Sequence, residues 1–225
     1  FNDKTDLQRY PRTLPQDQEK LAAADCDLLF APDVDEMYPN GQDEQSIVHV
    51  PVVSEGLCGG SRPGHFDGVS TVVTKLFNQV LPDAAFFGEK DFQQVAVIKK
   101  MVNDLCIPVE VVTVPTARAE DGLALSSRNG YLTDEERQLA TGLYKTLNEV
   151  ADALNAGESL DNSLSAASLR LEERGFRPDY VEVRSATDLS PAASGVAEVV
   201  ILGAAFLGNA RLIDNLVVTL NRGIV

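Results

Sequence analysis

The chain has 225 residues, 44% of them hydrophobic and 24% charged, enough to bury a sizeable core in one large or two modest globular domains. Its formal net charge of -15 repels phosphate backbones and excludes general nucleic-acid binding, so any anionic ligand must be met by a local cationic cluster. The longest apolar stretches, such as Val196 to Leu207, carry Glu198 or break at Gly203, and none approaches the roughly 18 to 20 apolar residues of a membrane span.

In chain order, Leu14 to Ala24 reads as a helix, Asp27 to Ala31 as a strand and Val34 to Met37 as a short helical turn stopped by Pro39, Asn40 and Gly41. Cys26 opens the set of three cysteines, with Cys58 and Cys106. They are odd in number, widely spaced and accompanied only by His49 and His65, so the expectation is reduced, mostly buried thiols in a cytoplasmic protein and no metal site. The carboxylates Asp33, Asp35 and Glu36 fit a helix start, where they complement the helix dipole, better than they fit a metal site.

Ile47 to Val50 reads as a strand, with His49 structural. After a Gly- and Pro-rich stretch, Val69, Val72, Val73, Leu76, Phe77 and Val80 recur at helical spacing from Asp67 to Pro82. Ala84 to Phe87, Asp91 to Leu105 and Val109 to Val114 then predict strand, helix and strand, one right-handed βαβ unit of an α/β domain.

Beyond Pro115 the segment Thr116 to Tyr131 is too long for a tight connection, and reads as a domain linker, a functional loop or both. Helices are predicted at Asp134 to Asn155, capped by Thr133 with Glu136, and at Leu160 to Arg174, stopped by Gly175. Strands follow at Asp179 to Arg184, Ala197 to Ala205 and Ala210 to Leu220, punctuated by Gly203 and Gly208. Helices before strands describe a smaller α+β domain.

Three segments carry candidate chemistry. In Phe87-Gly88-Glu89-Lys90-Asp91-Phe92-Gln93-Gln94 a strand ends and a helix begins, the edge where open α/β sheets hold ligands. Gly88, Lys90 and the unpaired amides after Asp91 would make an anion site. The competing reading is a plain helix start, Asp91 capping and Gln94 returning the bond. In Asp121 to Gly130, Ser126 and Ser127 beside Arg128 can grip phosphate oxygens, although a domain-joining turn has the same composition. In Ser61 to Phe66, Arg62 and His65 gather near a helix N-terminus, with His65 either a substrate partner or a side chain packed on Phe66. Arg9, Arg12 and Arg118 receive no role.

These segments occur in the order Arg62-Pro63-Gly64-His65-Phe66, Gly88-Glu89-Lys90-Asp91 with Gln93-Gln94, then Leu125-Ser126-Ser127-Arg128-Asn129-Gly130, and in that order the chain resembles the pantothenate synthetases. Arg9-Tyr10-Pro11-Arg12-Thr13, Tyr38-Pro39-Asn40-Gly41, Lys75-Leu76-Phe77-Asn78 and Leu212-Ile213-Asp214-Asn215 reinforce the likeness, which extends from Phe1 to about Leu216.

The resemblance implies a Rossmann-like nucleotide-binding domain at 1–116, incomplete at its N-terminus, followed by a smaller α+β lid domain at 117–225. It implies a homodimer that uses Mg2+ and ATP to join pantoate to β-alanine. Pantoate is first adenylated with release of pyrophosphate, and the amine of β-alanine then displaces AMP. Carried over by position, Lys90 and Arg128 are catalytic, and Gly88, Glu89, Lys90, Asp91, Ala117, Leu125, Ser126, Ser127 and Arg128 bind ATP. Gln94 binds pantoate, and Arg62 and His65 line the same pocket. Adenylation needs fixed positive charge more than an enzymic nucleophile, in keeping with the lack of a catalytic triad.

The family also carries a first strand, a loop with two histidines and a strand ending in a substrate-binding glutamine, about two βα units or roughly 60 residues that do not occur here. The chain by itself is accordingly expected to have negligible synthetase activity. Two other readings remain open: a nucleotidyltransferase of the same superfamily, and a non-catalytic remnant.

Overall fold

The computed structural model describes residues 8, 10 and 12–224. Helix α1 (Leu14–Ala23) starts with Pro15 in its first turn, and α2 (Val34–Met37) follows Asp33, whose amide donates to the Glu36 carboxylate at 2.9 Å. That bond gives Glu36 the helix-start role expected of it.

The strands anticipated at 27–31 and 47–50 do not form. A strand needs a neighbour to pair its backbone groups, and none of the described strands pairs with either segment. At Val48 the neighbouring helix substitutes: its amide donates to Thr71 Oγ1 at 2.9 Å, and its carbonyl accepts from Ser70 Oγ. At 27–31 the apolar side chains stay in water, with Leu28 81% exposed.

Helices α3 (Leu57–Ser61) and α4 (His65–Val80) are separated by Gly64, whose φ of 75° turns the chain, so α4 begins at His65 instead of Asp67. Strand β1 (Ala84–Gly88), a 3-10 turn (Glu89–Asp91), α5 (Phe92–Asp104) and β2 (Glu110–Val114) complete the first half. β1 and β2 pair in parallel from Ala84↔Glu110 to Gly88↔Val114, as the βαβ pattern requires. Phe66 and Phe77 of α4 meet Val97, Ile98 and Met101 of α5 in the core beneath this pair.

A second 3-10 turn (Ser127–Tyr131) ends the long loop, and α6 (Asp134–Leu139), α7 (Gly142–Ala156) and α8 (Leu160–Glu173) follow. The capping box is present: Thr133 Oγ1 accepts from Glu136 N at 3.2 Å, and the Glu136 carboxylate accepts from Thr133 N at 2.9 Å. The single helix expected over 134–155 is instead two. A Cβ on Gly142 would lie 3.0 Å from the Phe176 ring and 3.2 Å from Arg174 Cδ, so this glycine lets the backbone close on its neighbours where the two helices meet.

Strands β3 (Arg177–Ser185), β4 (Glu198–Leu207) and β5 (Ala210–Thr219) form an antiparallel sheet in the order β3-β4-β5. Gly203 lies inside β4 and does not end it; Gly208 sits in the β4–β5 turn. β4 is apolar on both faces because both are covered. Val199 and Ile201 pack with Leu147 and Val150 of α7, whereas Val200 and Leu202 pack with Leu57 of α3 and Leu189. The sheet thereby joins the two halves and brings β5 beside β1's C-terminal turn. The expectation of mostly buried thiols fails: Cys26 and Cys106 are exposed and only Cys58 is buried. Among the described residues no helix is long and apolar enough to cross a membrane.

Candidate active site

The C-terminal end of β1, the start of α4 and the 125–128 loop face one another across a cavity of about 1470 Å³. All three strands of the antiparallel sheet, β3, β4 and β5, also line it. Of the residues singled out from the sequence, Arg62, His65, Lys90, Asp91, Gln94, Leu125, Ser126, Ser127 and Arg128 all line it. Gly88 and Glu89 lie behind this wall, the Glu89 carbonyl accepting a bond from Asn215 Nδ2. Ala117 is not on the cavity surface; its carbonyl accepts from Leu125 N at 2.8 Å and shapes the loop leading to Ser126. Arg9 and Pro11 lie outside the described residues, and Arg12 is exposed.

Both glutamines line the cavity, but they differ in burial and in bonding. Gln93 is 4% exposed. Its Oε1 accepts from Cys58 N at 3.0 Å, and its Nε2 donates to Val53 O at 3.1 Å and Glu55 O at 3.2 Å, so the amide ties α5 to the segment before α3. Gln94, one residue on, is half-buried and lines the cavity. Asp91 stands at the N-cap of α5 but makes no side-chain cap bond, so the plain capping reading fails.

His65 stacks on Phe66 with ring centroids 5.0 Å apart, and its Nε2 lies 3.2 Å from Arg62 Nη1. The geometry therefore joins the two readings of His65, packed side chain and cavity wall. Burial, and after it the neighbouring Arg62, Arg128 and Arg211, holds its pKa down to about 4. The ring is neutral at physiological pH, and with Nε2 accepting from arginine it keeps Nδ1–H as a donor. His49 lies apart, its Nδ1 2.8 Å from Asp67 Oδ1 on the surface.

Several cavity residues went unread in the sequence. Arg211 of β5 donates from Nη2 and Nε to Asp179 Oδ2 at 2.7 and 3.0 Å, and Ser61 Oγ donates to the same oxygen at 2.8 Å. The Cys58 thiol lies 3.1 Å from the Tyr180 hydroxyl. Burial, then the adjacent Cys58, raises the Tyr180 pKa, which keeps this phenol protonated. Gln45, another residue of the cavity, holds in its Oε1 the one buried side-chain polar atom among the described residues with no hydrogen-bond partner. The available signals were faint: an arginine, an aspartate and an asparagine inside the apolar alternation of a strand.

Arginine and lysine groups with a neutral imidazole and hydroxyl donors around one cavity suit a polyanionic ligand, and they supply fixed charge for phosphate chemistry. Similarity to known proteins points the same way. The family described as pantoate-beta-alanine ligase matches residues 1–217. The pantothenate synthetase of Stutzerimonas stutzeri is 60% identical, the alignment covering 98% of this chain and 77% of that protein. That of Azotobacter vinelandii is 58% identical over 96% of this chain and 77% of its own. The crystal structure of pantothenate synthetase from Thermus thermophilus superposes with a TM-score of 0.86 at 47% identity, covering 92% of this chain and 75% of that one. A pantoate-beta-alanine ligase from Francisella tularensis, crystallised with beta-gamma ATP and beta-alanine, superposes at 0.78 with 33% identity over 96% of this chain and 74% of that one. By sequence and by fold, the chain belongs to the pantoate-beta-alanine ligase family.

Proposed function

We propose that the chain serves the ATP-dependent condensation of (R)-pantoate with β-alanine to pantothenate, AMP and pyrophosphate, with turnover by the chain alone expected to be negligible unless the family's two-histidine segment is supplied. The observation that carries this reading is the convergence of Lys90, Arg128, Gln94, Arg62 and His65 on one cavity in a chain of this family. In the first step a pantoate carboxylate oxygen attacks the α-phosphorus of ATP and the bond to the β-phosphate oxygen breaks, releasing pyrophosphate. In the second, the β-alanine amine attacks the acyl carbon, AMP leaves with the bridging oxygen and the amine loses a proton.

In this reading Lys90 and Arg128 neutralise charge that builds on the phosphates, an electrostatic role that requires no covalent enzyme intermediate. Gly88, Glu89 and Asp91 shape the strand end beneath the nucleotide. The Leu125 to Ser127 loop, held from behind by the Ala117 carbonyl, flanks its adenosine side, Gln94 holds pantoate, and Arg62 and His65 close the wall. Among the described residues no group of three or more His, Cys, Asp or Glu side chains gathers to hold a metal ion. We therefore treat Mg2+ as part of the nucleotide substrate, carried on its phosphates. The same reading divides the chain into a nucleotide-binding unit, 1–116, and a lid, 117–225, and takes the protein as a cytoplasmic homodimer. Light scattering on the purified chain tests the dimer.

Pantoate-dependent exchange of pyrophosphate into ATP, measured on the chain alone and on the chain preceded by the two-histidine segment of a relative, tests the chemistry. Lys90→Ala and Arg128→Ala are each expected to lower the exchange rate about 100- to 1,000-fold while leaving the fold intact. Exchange supported only by a phosphorylated acceptor would favour a nucleotidyltransferase, and nucleotide binding without exchange would identify a non-catalytic protein.

A further inference from the structure

Strand β5 carries two adjacent buried polar residues, Asp214 at 5% and Asn215 at 7% exposure, and both line the cavity. Each is bonded to a different loop. The Asp214 carboxylate takes a bidentate pair from Arg118, Nη1 to Oδ2 at 2.8 Å and Nη2 to Oδ1 at 2.9 Å. Arg118 also donates to Gly122 O at 3.1 Å, and its guanidinium lies over the Tyr144 ring, 3.5 Å from the centroid. It thereby clamps the base of a small hairpin, closed by the bonds Ala119 N to Leu123 O and Leu125 N to Ala117 O, which leads directly into Ser126.

Asn215 faces the other way. Its Nδ2 donates to Glu89 O at 2.8 Å and to Lys90 O at 3.0 Å, which spends both amide hydrogens on the turn that presents Lys90. A further bond, Asn215 N to Asp214 Oδ1 at 2.9 Å, couples the two residues. Two of the cation-bearing segments of the cavity, those of Lys90 and Arg128, distant in sequence, thus hang from neighbouring positions of one strand.

We propose that Asp214 and Asn215 are positioning residues, a two-armed clasp that fixes the Lys90 turn and the Ser126 to Arg128 loop at one separation so that both meet the same phosphate chain. The proposal rests on the ligase reading above and extends it to residues that touch other protein groups and not the reacting atoms. Its energetic logic is that misplacing a charge by about 1 Å can cost on the order of 100-fold in rate.

The experiment pairs Asn215→Ala and Asp214→Asn with two readouts on the chain preceded by the two-histidine segment of a relative. By hydrogen exchange, Asn215→Ala is expected to speed exchange in segment 88–94 alone, and Asp214→Asn in segment 116–126 alone. In pyrophosphate exchange, Asn215→Ala should lower kcat about 10- to 100-fold with the KM for ATP nearly unchanged, and should have almost no further effect in a Lys90→Ala background. Uniform loss of protection across the chain, or the same fold-loss with and without Lys90, would reduce both residues to structural ones and overturn the proposal. Absence of pyrophosphate exchange even with the two-histidine segment supplied would sink the ligase reading, while the hydrogen-exchange pattern would still decide the clasp.

Discussion

His65 titrates in the acid range because the cavity wall withdraws it from water and surrounds it with arginines. In the unfolded chain it returns to its ordinary value near 6.5, so between about pH 4 and that value the unfolded state binds more protons. Its contribution to stability is therefore complete above the unfolded pKa and is lost as the pH falls toward the folded one. Urea midpoints of His65→Gln are expected to fall less than those of the wild type between about pH 7 and pH 5. Equal slopes would show that His65 does not carry this acid sensitivity. At this scale the sequence exposed residues that sit at a strand end, a helix start or a Ser/Arg loop, where local chemistry is visible. It left Arg211 unread and showed Asp214 and Asn215 only as part of a family motif without a role, because their partners are brought close only by the β3-β4-β5 sheet, and it assigned Arg118 no role because its carboxylate lies 96 positions away.

Element boundaries followed local signals wherever those signals were sufficient. Thr133 with Glu136, the glycine after α8 and the prolines around β1 and β2 ended elements near the expected residues. The two failed strands show the limit, since alternation of apolar residues does not supply a hydrogen-bonding neighbour. Gly203 shows another: a glycine that reads as punctuation is a packing residue, because a Cβ there would lie 3.0 Å from Leu143 Cδ1 and Leu147 Cδ2. Gly203→Val should therefore destabilise by about 1 to 3 kcal/mol, read as a lower urea midpoint at unchanged m. Gly60→Ala in α3 is its control, because no atom beyond its chain neighbours and its own helix backbone lies within 4 Å of the added carbon, and it should leave stability unchanged or slightly raised.

Across the whole molecule, a net charge of -15 surrounds a cavity lined by Arg62, Lys90, Arg128 and Arg211. Local cations meet anionic ligands inside while the acidic exterior disfavours polyanions such as nucleic acid. The placement of the thiols sets this cavity apart chemically. Cys26 and Cys106 face solvent, whereas Cys58, 9% exposed, lies in the wall. A maleimide should therefore label two sites rapidly and the third slowly, and ATP should retard only the third, giving an unmodified protein its own timer for occupancy. Mass spectrometry of timed samples reads it directly, and three equal rates would show that Cys58 is as open as the others.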